Sequence, residues 1–119
     1  MKKKANKTQR MVFQKLRQES GLIVSFKNDA VSVDLVGGVV LKTSITEDTL
    51  YVQNSPHHFH VDWSRLTQVT YDNNNQYHEG CLTFMDDETI IFKVFNPRGE
   101  FNAEIMHLFE NNATIELVY

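Results

Sequence analysis

The sequence predicts an α+β fold, in which a largely antiparallel, curved sheet of about seven or eight short strands carries a helix at each end. Three observations lead to this prediction. Short stretches of alternating apolar and polar residues recur between residues 22 and 95, as in strands that turn one face towards a core. Clusters of turn-forming residues separate these stretches. Apolar residues at helical spacing occur near both ends of the chain.

Length and charge define the expected domain organisation. The 119 residues, 41% of them hydrophobic, suit one folded domain with a modest core. Seven of the 12 basic residues precede Glu19, the first acidic residue, so residues 1–10 are predicted to be a disordered basic leader and residues 11–119 a single domain. The rest of the chain holds 5 basic and 15 acidic residues. Because that surplus of acid repels phosphates, we expect neither nucleic acid nor a membrane as a partner.

Cysteine usage and hydropathy favour a cytoplasmic protein. No apolar run approaches the roughly 18–20 residues that span a bilayer. Cys81 is the single cysteine, which excludes an internal disulfide and fits a reducing compartment. Its place in an apolar strand predicts a buried side chain.

The first half of the chain is predicted to form one helix and several strands. Met11, Val12, Phe13 and Leu16 stand near helical spacing, which predicts a helix over residues 8–20 with Gly21 as its stop. Strands are predicted at residues 22–26, 31–35, 39–41 and 50–53.

The second half continues the sheet and closes with a helix. A corner is predicted at residues 62–66, and strands at 67–71, 77–85 and 89–95, with a hairpin at residues 86–88. Phe101, Ile105, Leu108 and Phe109 recur at helical spacing, so the second helix runs from there to near residue 111. Residues 114–119 fit either a last strand or a loose tail.

Three of the chain's five histidines fall within four positions, where the sequence reads His-His-Phe-His. Pro56 precedes them, and because a proline has no N–H to donate, it often opens a strand; a strand is therefore predicted to begin at His57. Alternation then places His58, His60 and Asp62 on one face, and on the other His57 together with the apolar residues Phe59, Val61 and Trp63. Imidazoles bind metal ions and heme iron, so the polar face is the candidate ligand site.

Two interpretations of this face stay open. Polar residues also occupy the solvent face of an ordinary antiparallel sheet, where they bind nothing. A zinc site usually has three or more protein ligands, so His58 and His60 would need a third, for which Tyr51 and His78 are the candidates. Heme needs only one or two axial ligands, so a heme site requires fewer protein ligands than a zinc site does.

The sequence contains no motif typical of catalysis, so we expect a protein that is not an enzyme. A nucleophile elbow, a phosphate-binding glycine loop and a paired-cysteine metal motif are all missing. Arg98 stands in the break between the last long strand and the second helix. A guanidinium there can pair with a carboxylate, such as a heme propionate.

Two stretches of the second half form a recognisable pattern of strands, corner and turn. In the first stretch, residues 59–62 read Phe-His-Val-Asp and residues 66–69 read Leu-Thr-Gln-Val. The second stretch contains residues 82–86, Leu-Thr-Phe-Met-Asp, and residues 91–95, Ile-Phe-Lys-Val-Phe, and continues through Arg98 into the second helix. Together the two stretches resemble the cytosolic heme-utilisation carriers, which are similar to one half of the two-repeat bacterial heme-degrading proteins. The resemblance covers roughly residues 50–110.

The resemblance implies an intracellular heme carrier, often a homodimer, that holds heme against a large antiparallel sheet. His60 matches the family's strand histidine best and is the candidate axial ligand of the heme iron, with His58 as the second choice. Lys93 or Arg98 would meet the heme propionates, and Tyr51 remains in the candidate set as an additional ligand. The first 40 residues match the family poorly.

Two other functions compete with heme carriage. A strand meander that ends in an amphipathic helix also resembles a pleckstrin-homology-like barrel, which would make the chain a protein- or lipid-interaction module without heme. His58 and His60 also resemble the metal ligands of a cupin-type enzyme, although the Glu and Gly expected after them are missing.

Overall fold

The α+β prediction is confirmed in the computed structural model, where a six-stranded antiparallel sheet is accompanied by a helix near each end of the chain. The structure describes residues 5–16, 18–19, 21–36, 40–43, 49–54, 57–73 and 80–119; of residues 40–43, 49–54, 57–60 and 63 it describes the backbone alone. The elements are α1 (Lys7–Leu16), β1 (Ile23–Lys27), β2 (Ser32–Val36), β3 (Val40–Thr43), β4 (Thr49–Asn54), β5 (His57–Asp62), a 3-10 turn (Trp63–Arg65), β6 (Gln68–Asp72), β7 (Gly80–Asp86), β8 (Thr89–Asn96), α2 (Ala103–Leu108) and β9 (Thr114–Glu116).

The described strands divide into two sheets, a division that the sequence analysis did not foresee. The larger sheet has the order β2-β1-β8-β7-β6-β9, and the smaller one has the order β3-β4-β5. Neighbouring strands are antiparallel in both sheets. The larger sheet is open, with β2 at one edge and β9 at the other, and so differs from the closed barrel of the alternative interpretation.

One face of the six-stranded sheet forms the core together with α1. Val12, Phe13 and Leu16 of α1 are fully buried, which accounts for the helical spacing of these residues in the sequence. The Phe13 ring stacks on Phe84 of β7 with centroids 5.0 Å apart, and Phe84 stacks on Phe92 of β8 at 4.8 Å. This aromatic stack fixes α1 across the middle of the sheet.

The opposite face of the same sheet carries a row of polar residues. Directly paired positions run across all six strands as Asp34, Ser25, Lys93, Thr83, Thr70 and Thr114. The hydroxyl oxygens of Thr70 and Thr114 lie 2.9 Å apart and share a hydrogen bond. Beside this row, Ile23, Cys81 and Phe95 form a small second cluster of buried residues.

A buried glutamine closes the β9 edge of the sheet. The Gln9 side-chain Nε2 donates to the backbone oxygens of Leu66, at 2.8 Å, and Leu117, at 3.1 Å. The Leu117 oxygen also accepts from the backbone N of Asn6 at 3.0 Å. We call Asn6, Gln9, Leu66 and Leu117 the β9 clamp. It joins α1 to the corner before β6 and to the strand that ends the sheet.

The predicted disordered leader is too long. Residues 1–4 lie outside the described residues, but Ala5 forms a β-bridge with Val118 and α1 already begins at Lys7. The Asn6 side-chain oxygen accepts from the backbone N of Gln9 at 2.9 Å and so caps the first turn of α1. Asn6 and Gln9, which were assigned to the leader, therefore belong to the folded domain, where they form the hydrogen bonds of the β9 clamp.

Both helices are shorter than predicted, for local reasons. Helix α1 ends at Leu16, the last buried residue of its apolar stripe, and Gly21 takes a positive φ of 72° further along. Helix α2 begins only after Asn102, whose side-chain oxygen caps it by accepting from the backbone N of Glu104 at 2.8 Å. It ends at Leu108, ahead of two asparagines that favour a turn.

The predicted corner and the predicted turns at residues 28–29 and 86–88 are present, whereas the turn predicted at residues 47–48 lies outside the described residues. The Asn28 side-chain oxygen accepts from the backbone N–H groups of the next hairpin residues, Ala30 at 2.8 Å and Val31 at 2.9 Å. Between β7 and β8, Asp87 takes a φ of 55° and its backbone N donates to the Thr67 hydroxyl at 2.7 Å. Of the two alternatives for residues 114–119, the structure has a short last strand, β9.

Candidate ligand site on the three-stranded sheet

Strand β5 carries the histidine cluster and begins at His57, as the proline before it predicted. It ends at Asp62, whose side-chain oxygen accepts from the Ser64 backbone N at 2.9 Å and from the Ser64 hydroxyl at 2.7 Å. These bonds hold the first turn after the strand and fix the predicted corner.

The burial of Val61 shows which side of β5 belongs to the core. Val61 is only 8% exposed and packs in the main hydrophobic cluster, whereas Asp62 is half-buried. Because alternate positions of a strand lie on opposite faces, positions 58 and 60 share the face of position 62. The predicted division of the cluster into an apolar and a polar side therefore holds for the backbone of β5.

The register of the small sheet brings Tyr51 to His60. Tyr51 on β4 is directly opposite His60 on β5, and Gln53 is directly opposite His58. Directly opposite positions share a face, so positions 51, 53, 58 and 60 lie on one side of the sheet. Three of the five predicted site residues thus occupy a single block of two neighbouring strands.

The third strand adds a basic position that the sequence analysis missed. Lys42 on β3 is directly opposite Tyr51, so Lys42, Tyr51 and His60 form one row across the sheet. Nothing in the sequence marks Lys42 alone. The row becomes visible only when the pairing of β3 with β4 is known, and β3 and β4 lie on either side of a segment outside the described residues.

Lys93 lies in the six-stranded sheet, and Arg98 lies in the turn after strand β8 of that sheet. Lys93 is half-buried in the middle of β8, opposite Ser25 on one side and Thr83 on the other. Arg98 is exposed in the turn after β8, where its backbone N donates to the Asn96 side-chain oxygen at 3.0 Å. The two predicted propionate partners therefore belong to a different sheet, or to the turn after it, from the strands that carry the histidines and Tyr51.

A partly buried polar cluster near Arg98 holds Glu19, which the sequence analysis did not single out. The Asn96 side-chain N donates to the Glu19 carboxylate at 3.3 Å and to the Glu100 backbone oxygen at 3.1 Å. Burial raises the pKa of Glu19, while a hydrogen bond from the Asn102 backbone and the nearby charge of Arg98 oppose that rise. Arg98 therefore already interacts with a carboxylate of this protein.

Cys81 is buried, as predicted, and does not have the surroundings of a nucleophile. Its side chain is 2% exposed, and burial raises the pKa of the thiol above its ordinary value. Its sulfur lies 3.7 Å from the Thr83 hydroxyl. A protonated, enclosed thiol is a structural residue rather than a reactive one.

The described residues form neither a metal-binding cluster nor a membrane-spanning helix. Among the residues whose side chains the structure describes, which exclude His58 and His60, no group of three His, Cys, Asp or Glu residues is placed to hold a metal ion. His78, the other candidate third ligand, lies outside the described residues. Neither described helix is long and apolar enough to cross a membrane.

No protein-family model matches the chain, and no curated protein matches it at a significant level.

Proposed function

We propose that the three-stranded sheet binds heme and that the chain is a heme carrier rather than an enzyme. His60 is the proposed axial ligand of the heme iron, and His58 is the second candidate. The observation that supports this proposal best is the position of Tyr51 directly opposite His60. Imidazole and phenolate are both axial ligands of heme iron in proteins, so the donor set in this row suits the cofactor.

The neighbouring positions fit the rest of a heme molecule. Lys42 continues the row of Tyr51 and His60, and a lysine ammonium can pair with a propionate. Its position makes Lys42 a better candidate for that role than Lys93 or Arg98, which belong to the other sheet. Heme, when bound, supplies an iron centre with a porphyrin that absorbs strongly, and this absorption makes the proposal simple to test.

Titration of the purified chain with hemin, followed by absorption of the Soret band, tests the proposal. We expect a saturable shift of the band that is weakened or lost in His60→Ala and, to a lesser extent, in His58→Ala. The matched control is His107→Ala, because His107 is exposed on α2 and bonded to Glu110 at 3.0 Å, away from β5. Absence of a saturable shift, or a His58→Ala/His60→Ala double variant that titrates like the unchanged chain, would refute heme binding.

The variant Tyr51→Phe tests whether Tyr51 binds the heme iron or only lies beside His60. If the phenol binds the iron, this variant keeps the ring but loses the charge-transfer absorption of an iron–phenolate bond, and His60 remains. Release of the bound heme to excess apomyoglobin then measures whether binding is reversible, as carriage requires. Heme that the chain retains indefinitely contradicts the carrier role while leaving heme binding itself intact.

A further inference from the structure

The β2 edge of the six-stranded sheet exposes an unusual amount of apolar surface. Val31, Val33 and Val36 are 55%, 44% and 66% exposed, although they stand in or beside a regular strand. A groove of about 390 Å³ runs along this edge, with Phe26 and Ile91 in its wall. Exposed apolar residues that adjoin one another mark interaction surfaces more often than isolated ones do.

Alternate backbone groups of β2 face away from β1. The Asn28 backbone N donates to the Val31 oxygen at 2.9 Å, which closes the β1–β2 hairpin with a hydrogen-bonded pair. Such pairs alternate along antiparallel strands, so the N–H and C=O groups of Ser32, Asp34 and Val36 point away from β1. Strand β2 contains neither proline nor lysine, the residues that commonly protect a sheet edge.

We propose that β2 pairs antiparallel with β2 of a second copy of this chain, centred on Val33, and joins the two six-stranded sheets into one. The pairing is independent of heme binding. Its register follows from Asp34, the acidic residue of the strand. A pairing centred on Asp34 sets two carboxylates directly opposite each other, which is destabilising. A pairing centred on Val33 sets Asp34 opposite Ser32 instead.

The same register makes the two faces of the junction complementary. On one face Phe26 is paired with Val33, so the two copies form the continuous apolar row Phe26–Val33–Val33–Phe26. Phe26 lies 5.9 Å from Phe92, ring centre to ring centre, and thereby links this row to the core. The apolar groove of each copy meets the groove of the other.

On the opposite face the register brings opposite charges together. Lys27 is paired with Ser32, so the partner's Asp34 becomes the next position in the same row. Adjacent strands are about 4.8 Å apart, which puts the backbones of Lys27 and the partner's Asp34 roughly 10 Å apart, across the small Ser32. A lysine side chain spans that distance. The two-fold symmetry creates this charge pair twice, and this complementarity favours a second copy as the occupant.

Sedimentation velocity of the full chain over a wide concentration range tests the pairing. Two short strands bury less surface than a standard stable interface, so we expect a reversible dimer that grows with concentration. Val33→Lys should shift the chain to monomer at every concentration. Thr114→Lys adds the same charge to the opposite edge strand, β9, and should leave the dimer unchanged. A chain that is monomeric throughout, or a dimer that Val33→Lys leaves intact, overturns the proposal.

A charge exchange and a cysteine cross-link test the register itself. Lys27→Asp and Asp34→Lys should each weaken the dimer, and the double variant should restore it. In Val33→Cys the two introduced thiols form a close, non-hydrogen-bonded pair and should cross-link on mild oxidation. In Asp34→Cys the thiols are too far apart for a disulfide. Cross-linking of Asp34→Cys in preference to Val33→Cys, or a double charge variant as weak as the single ones, refutes the Val33-centred pairing.

Discussion

The two edges of the six-stranded sheet differ in what covers them. At the β9 edge, the buried side chain of Gln9 donates to the backbone oxygens of Leu66 and Leu117, and Leu117 is fully buried. At the β2 edge, no residue of the strand is fully buried, and the backbone groups of Ser32, Asp34 and Val36 point away from β1. The β9 edge therefore contributes to the stability of the fold, whereas the β2 edge is the proposed surface for pairing with a second copy of the chain. Substitutions at the β9 edge should lower the stability of the fold and leave the dimer unchanged, whereas substitutions at the β2 edge should weaken the dimer and change the stability little.

The largest effect on stability is expected from Leu117→Ala at the closed edge. Its side chain is fully buried in the main hydrophobic cluster, so truncation removes apolar contacts and leaves a cavity. We expect the free energy of unfolding to fall by about 2–5 kcal/mol, measured by urea denaturation. Val31→Ala is the corresponding change at the open edge. Because the Val31 side chain is 55% exposed, its truncation should lower the free energy of unfolding by no more than about 0.5 kcal/mol. Equal losses from the two variants would remove the distinction between the edges.

A smaller loss is expected from Gln9→Ala. The variant leaves the Leu66 and Leu117 oxygens without the Gln9 donor in a buried site, which costs about 1–3 kcal/mol. Gln14→Ala is the control, because Gln14 is an exposed residue of the same helix. Neither variant should change the concentration dependence of sedimentation, since both lie away from β2. A Gln9→Ala chain as stable as Gln14→Ala would show that the clamp adds nothing to the closed edge.

The smallest effect is expected from Glu19→Gln, on the connection from α1 to β1. Because burial raises the pKa of Glu19, the folded state holds its proton more tightly than the unfolded state does. The contribution of Glu19 to stability is therefore full at acidic pH and declines as the pH rises through the raised pKa. Glutamine carries no charge at any pH, so the variant should gain most over the unchanged chain near neutral pH and lose that advantage towards about pH 4.

Urea midpoints of both chains across this pH range measure the effect. Glu88→Gln, an exposed change in the β7–β8 hairpin, provides the control. If the difference between Glu19→Gln and the unchanged chain grows as the pH falls, the carboxylate is stabilising in its charged form and the assigned cause is wrong.

Local structure could be predicted from the sequence wherever neighbouring residues determine it. Pro56 located the start of β5, Asp62 and Ser64 supplied the bonds of the corner, and Asn28 supplied the hairpin turn. The alternation that put Val61 on the apolar side of β5 agrees with its burial. Each of these features depends on contacts within a few positions, which composition and spacing record directly.

Features that depend on distant pairing could not be predicted. Gln9 and Leu117 are 108 positions apart, and nothing in a helix of polar and apolar residues indicates that one glutamine binds a distant carbonyl. The division into two sheets likewise depends on β1 pairing with β8 rather than with β3. For the candidate site, His58, His60 and Tyr51 were chosen from the sequence, but their shared rows, and the place of Lys42 beside them, follow from strand register.

The β9 clamp also has a consequence for the order in which the molecule assembles. During synthesis, α1 emerges before the strands of the sheet, yet one of its partners, Leu117, follows Gln9 by 108 positions. Contacts between positions so far apart form late, because a long loop must close before they stabilise anything. Phe13 can stack on Phe84 only once β7 has been synthesised, and Gln9 can bind Leu117 only once β9 has followed. Of the two edges of the six-stranded sheet, the β9 edge is therefore the later one to be completed during synthesis.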